Sequence, residues 1–122
     1  MKYQFPFEKL EVWKLAKDFC IDIYAVIQMF PDSEKYGLSS QIKRAAISVA
    51  SNIAEGSSRR SRKDQAHYTQ IAYSSMMEVA CQLIISKDMK LISDEKYAEL
   101  RMKIEEIANK LNALHKYQTS NK

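Results

Sequence analysis

Arg59, Arg60, Arg62 and Lys63 place four cations within five positions, directly after Gly56-Ser57-Ser58. A guanidinium is a planar fork that meets two phosphate oxygens at once, and serine hydroxyls and the first amides of a following helix add donors. The chemistry on offer is anion binding, and phosphate is the best-matched anion. Tyr68 is the one aromatic residue near enough in sequence to suggest base stacking. Contact to a nucleic-acid backbone would therefore dominate and be salt-sensitive. For one isolated turn, a solvated loop that keeps the chain soluble is the simpler reading. Repetition by symmetry shifts that balance, because several copies of one turn gain avidity for a single long polyanion.

The charge distribution isolates the same region. Of the 122 residues, those at 40–70 hold Lys43, Arg44, Arg59, Arg60, Arg62 and Lys63 against Glu55 and Asp64, which equals the whole net charge of +4. The rest of the chain is balanced. A modest total charge gathered in one place still makes a strong local field.

Other chemistries find little support. Carboxylate-bridged metal sites in helical bundles need Glu-x-x-His on two helices, and the chain offers only Asp64-x-x-His67, once; His115 has Asn112 three residues before it. No Gly-x-Ser-x-Gly elbow presents a serine, and two glycines nineteen residues apart make no phosphate-cradling loop. Cys20 and Cys81 lack the spacing of a zinc or redox pair and read as small buried hydrophobes. The expectation is a protein without catalytic residues, metal or cofactor. No run of about 18 apolar residues marks a membrane span, and the N-terminal Met1-Lys-Tyr-Gln-Phe-Pro lacks the apolar core of a secretory signal. A cytoplasmic location is expected.

The elements that position these residues are helices. With two glycines and two prolines the chain has few turns, and its elements must be long. Apolar residues recur at three-four spacing in four segments, about 8–30, 38–56, 62–90 and 94–117, which predicts one antiparallel, up-down four-helix bundle. Trp13, Ala16, Cys20, Ile23, Ile27 and Phe30 would line the first helix, and Pro31 would stop it. Gly56 suits a left-handed cap on the second. Ser61 with Asp64, and Ser93 before Asp94 and Glu95, would cap the third and fourth. Tyr97, Leu100, Ile104, Ile107, Leu111 and Leu114 form the stripe of the fourth, whose last residues, 118–122, would fray.

Two helices carry more apolar surface than one bundle core needs. In the second helix Ile42, Ala45, Ala46, Ile47, Val49, Ala50, Ile53 and Ala54 fill an arc of roughly 200° at about 100° per residue. In the third, Tyr73, Met77, Ala80, Ile84 and Ile85 lie outside the face made by Tyr68, Ala72, Met76, Val79 and Leu83. A core asks for little more than about 100° of each helix. The surplus predicts a homo-oligomer through the second and third helices, with Ala46, Ile47, Ala50, Ala54, Tyr73, Met77 and Ile84 at the interface; a different protein covering the same patch is the rival reading. Asn52 and Glu55, on the polar face of the second helix, would either meet solvent or fix the register of that interface by hydrogen bonds.

Several motifs resemble a known family. Phe7-Glu-Lys-Leu-Glu-Val-Trp13, Phe30-Pro-Asp-Ser-Glu-Lys-Tyr-Gly-Leu38, Gln41-Ile-Lys-Arg-Ala-Ala46, Ser51-Asn-Ile-Ala-Glu-Gly56 and Ile71-Ala-Tyr-Ser-Ser-Met-Met-Glu78 are similar to the bundle proteins named for 23S rRNA intervening sequences. The likeness covers nearly the whole chain. It implies a bacterial cytoplasmic protein, an up-down bundle and a ring-shaped homopentamer, with no established catalytic residues to carry over. A related branch holds the accessory variability determinants of diversity-generating retroelements, which resemble nucleic-acid-binding partners of a reverse transcriptase. The family's basic character maps here onto Lys43, Arg44, Arg59, Arg60, Arg62 and Lys63. The leading expectation is an oligomer that binds RNA or DNA through that surface. The alternative is a scaffold for a protein partner, such as a reverse transcriptase, with the turn solvated or docked on an acidic surface.

Overall fold

The computed structural model describes residues 3–120; Met1 and Lys2 of the N-terminal stretch, and Asn121 and Lys122 of the segment expected to fray, lie outside them. Four helices dominate: α1 (Glu11–Ile27), α2 (Leu38–Ser57), α3 (Arg62–Asp88) and α4 (Asp94–Gln118), with 3-10 turns at Pro6–Lys9 and Asp32–Glu34. Short connections send each helix back along its predecessor. Packing follows chain order, α1 on α2, α2 on α3 and α3 on α4, and a thinner α1–α4 seam completes the up-down arrangement.

The helix ends show how local chemistry sets the boundaries. Ser61 Oγ accepts from Asp64 N at 3.1 Å and Ser93 Oγ accepts from Lys96 N at 3.0 Å, so both serines cap as their positions suggest. α1 is shorter than the apolar pattern implies. Glu8 folds back to accept from Phe5 N at 2.7 Å, which closes a 3-10 turn, and Leu10 is extended before α1 begins. At the other end Met29 N and Phe30 N bond to Val26 O and Ile27 O, tightening the chain before Pro31. α3 ends in a Schellman motif: Lys90 takes φ 64°, Lys90 N donates to Lys87 O and Leu91 N donates to Ser86 O, each at 2.9 Å. The end of α4 is held rather than frayed at Gln118, whose Oε1 accepts from Thr69 Oγ1 at 2.7 Å.

Gly56 does not serve as a left-handed cap. It lies inside α2 with no positive φ, and a Cβ built on it would sit 3.0 Å from Tyr68 Cβ and 3.4 Å from Gln65 O. The glycine is there because α2 and α3 cross almost in contact.

The core is built from Phe19 and Ile23 of α1, Ile42 and Val49 of α2, Met76, Val79 and Leu83 of α3, and Leu100, Ile107 and Leu111 of α4, all essentially inaccessible. Burying each such large side chain contributes about 1.5–3 kcal/mol. Ala16, Ile23, Ile27 and Phe30 are buried as their spacing suggests, but the buried face of α1 is shifted at Trp13 and Cys20. Val12, Ala16, Phe19, Ile23 and Val26 point inward, while Trp13 and Cys20 fall to a half-buried flank. Burial raises the Cys20 thiol pKa. Between α2 and α3, Asn52 Nδ2 donates to Ser48 O at 2.8 Å and to Ser48 Oγ at 2.9 Å, and Ser48 Oγ pairs with Ser75 Oγ at 2.9 Å. Asn52 thus bonds within α2, where it orients Ser48, and the Ser48–Ser75 pair ties that helix to α3.

A candidate nucleic-acid interface at one end of the bundle

Antiparallel packing collects four pieces of chain at one end: the residues before α1, the 58–61 connection, the first turn of α3 and the last turn of α4. The four clustered cations divide here into two kinds. Arg59 is half-buried. Its Nη2 donates to Glu55 Oε2 at 2.6 Å and to Tyr68 Oη at 2.8 Å, and its guanidinium lies 4.7 Å from the Tyr68 ring centroid. Arg62 lies 4.5 Å from the Tyr117 ring centroid and donates from Nη2 to Tyr117 Oη at 3.0 Å. Both arginines therefore clamp helices. Arg60 and Lys63 are exposed, and among the described residues neither forms an ion pair, a side-chain hydrogen bond or a ring contact.

The turn itself is rigidly held. Gln65 Nε2 donates to Arg59 O at 2.9 Å, and Ser57 and Ser58 donate their hydroxyls to Ala54 O and Glu55 O at 2.8 and 2.7 Å. Those hydroxyl protons close the end of α2 and are not free for an anion. Lys43 and Arg44 lie some fifteen residues earlier on α2, about 22 Å along the axis at the standard helical rise. Lys43 sits 5.2 Å from the Tyr24 ring centroid. One protomer therefore does not merge the six basic residues into one patch, and the cations open to a ligand at the turn are Arg60 and Lys63.

Sequence spacing also overlooked the aromatic residues of this end. Tyr3, Phe5, Phe7 and Trp13 form a ladder: Tyr3 meets Phe5 edge-on at 5.6 Å, Phe5 stacks on Phe7 at 5.8 Å with planes 6° apart, and Phe7 meets Trp13 at 4.8 Å. The alternation Tyr3-x-Phe5-x-Phe7 was the available signal, but nothing local places it against a turn some fifty residues later. His67 is exposed and packs edge-on against Tyr68 at 5.4 Å. Among the described residues no group of three or more His, Cys, Asp and Glu side chains could hold a metal, and no helix is long and apolar enough to cross a membrane.

The residues expected at an oligomer interface lie on two sides of the molecule. Ile47, Ala50 and Ala54 line a groove of about 360 Å³ between α1 and α2, together with Trp13, Cys20 and Ile21. Tyr73, Met77 and Ile84 line a groove of about 390 Å³ between α3 and α4, with Tyr97, Ile104 and Ala108. Since successive helices are neighbours, these grooves face opposite ways. Ala46 is fully buried inside the bundle and cannot meet another subunit. Glu55 is held by Arg59. At the rim of the α3–α4 groove Arg101 donates to Tyr97 Oη at 2.9 Å and to Glu105 Oε2 at 3.2 Å, and these bonds raise its pKa further.

Comparison with known proteins agrees with this architecture. A crystal structure of a protein of unknown function from the S23 ribosomal protein family of Bacteroides thetaiotaomicron VPI-5482 superposes with a TM-score of 0.81 at 24% identity, covering 86% of this chain and 98% of that one. At that identity the likeness speaks for the fold. No curated protein is significantly similar. The sequence model of the 23S rRNA-intervening sequence proteins matches residues 8–113, from before α1 to within α4, and the chain belongs to that family.

Proposed function

We propose that the protein is a non-catalytic, cytoplasmic homo-oligomer that binds RNA through a surface repeated around a ring. The observation that carries this reading is the state of Arg60 and Lys63: two exposed, unengaged cations on a turn whose other two arginines are spent on holding it rigid. A surface built only for solubility has no need of a fixed turn. Rigid presentation lowers the entropic cost of each phosphate contact.

Assembly follows from the two grooves. Two different apolar faces on opposite sides favour a head-to-tail contact, and a head-to-tail contact that closes gives a ring. Ile21 and Ile47, 61% and 44% exposed, border the α1–α2 groove and offer apolar surface to the α3–α4 groove of the next subunit. The family likeness favours five subunits. Cyclic symmetry then presents every 58–63 segment on the same side of the ring, where one polyanion can engage several.

The test is RNA binding across a salt series with the wild type and an Arg60→Ala/Lys63→Ala variant. Two phosphate contacts per engaged protomer give a log–log slope of about −1.4 per protomer on single-stranded RNA. A steep wild-type slope that flattens in a variant of unchanged mass supports the reading. Equal, weak binding by both proteins leaves the turn solvated and favours a scaffold for a protein partner.

A further inference from the structure

The aromatic ladder bears on which form of nucleic acid the turn receives. Its base is fixed: Phe7 rests on Trp13, and the Phe5 amide is bonded to Glu8 Oε2 at 2.7 Å. Its outer rungs are open, with Tyr3 77% and Phe5 56% exposed. Phe5, Pro6 and Phe7 form one wall of an open groove of about 430 Å³, and Ser51, Ala54, Ser57 and Ser58 form the other. Arg60 follows Ser58 by two residues, hence within about 8 Å of it from Cα to Cα. Glu55 also borders the groove, but its carboxylate is neutralised by Arg59 at 2.6 Å. Exposed rings on one wall of a groove, and an unengaged cation two residues beyond its other wall, suit a single strand, whose bases stack on rings while its phosphates meet charges. A duplex hides its base faces and gains nothing from Tyr3 or Phe5.

Resting on the nucleic-acid reading above, we infer that this groove and the outer rungs of the ladder beside it form a single-strand site, with bases stacked on Tyr3 and Phe5 and the adjoining phosphates held by Arg60 and Lys63. Specificity comes from strandedness rather than sequence, because every base offers a stacking face.

The experiment is anisotropy of dye-labelled oligo(A), alone and annealed to oligo(U), with the full chain. Three proteins are compared: wild type, Tyr3→Leu/Phe5→Leu and Arg60→Ala/Lys63→Ala, each checked for helicity and oligomeric mass. Leucine keeps an apolar cover over Phe7 while removing the flat ring. The wild type binds the single strand about tenfold more tightly than the duplex, the leucine variant loses about that factor on the single strand alone, and the alanine variant weakens both. Equal affinity for both forms, lost only in the alanine variant, overturns the stacking site but leaves phosphate binding intact. No binding by the wild type overturns both. A leucine variant that falls apart into smaller species with unchanged affinity per protomer makes the ladder a subunit contact, which also overturns the site.

Discussion

Arg59 reaches across the α2–α3 connection to Tyr68, stacking its guanidinium 4.7 Å from the ring centroid while Nη2 bonds the phenol oxygen at 2.8 Å. The same nitrogen holds Glu55 at 2.6 Å, so one side chain joins the last turns of α2 to the second turn of α3. Arg59 and Arg60 are adjacent in sequence and opposite in role. Arg59→Ala should lower stability by about 1–2 kcal/mol through the lost cation–π contact and hydrogen bond. Arg60→Ala should leave stability within about 0.5 kcal/mol, as for an exposed surface substitution. Urea unfolding of the two single variants separates them, and equal losses would remove the structural assignment of Arg59.

Gly56→Ala sets helix propensity against space. Alanine favours a helix interior by about 1 kcal/mol, but its Cβ would lie 3.0 Å from Tyr68 Cβ, an atom tied to the α3 backbone. The helices must part, at a cost of about 1–3 kcal/mol. A net loss of stability with a lower thermal midpoint is expected. A gain would mean that the α2–α3 crossing yields freely.

Lys90 adopts a left-handed conformation that costs an L side chain about 1–2 kcal/mol. Lys90→Gly removes that cost and keeps both Schellman hydrogen bonds, although glycine loses more entropy on folding. The expected outcome is a gain of about 1 kcal/mol in denaturant unfolding.

How much of this was legible in the sequence depends on how local the cause was. Ser61 and Ser93 were readable as caps because a cap is set within three residues. The stripe of α4 was readable because one side of that helix meets water and leaves a clean contrast. α1 was readable at Ala16, Ile23, Ile27 and Phe30 but not at Trp13 and Cys20, since Val12, Trp13, Phe19 and Cys20 are all apolar and only the neighbouring helices decide which pair turns inward. Gly56 looked like a cap because the Tyr68 Cβ it accommodates lies on another helix. The same limit applied to the cations: nothing in Arg59-Arg60-Ser61-Arg62-Lys63 tells which will find Tyr68 and Tyr117. The interface residues were read from the surplus apolar faces of two adjacent helices, yet they occupy two separate grooves once α1 and α4 are in place.

The thin α1–α4 seam is crossed by an ion pair between Lys103 and Asp22, both partly exposed. The hydrogen bond to Asp22 raises the Lys103 pKa above its ordinary value of 10.5. A raised lysine pKa stabilises the fold below the unfolded value and loses that contribution as pH climbs through the folded one. Stability attributable to the pair is thus constant through neutral pH and falls above about pH 10.5. Solvent screening keeps it below about 1 kcal/mol. Lys103→Met should remove this alkaline step from a urea-midpoint profile, and an identical step in the variant would place its origin elsewhere.

The most direct measurement of the central claim is the salt dependence of single-stranded RNA binding by the wild type and the Arg60→Ala/Lys63→Ala variant, each run at a mass fixed by light scattering. An oligomeric wild type with a slope steeper than about −1.4, and an equally oligomeric variant with a flattened slope, is the expected result. A monomeric wild type, or two oligomers with the same slope, would contradict it.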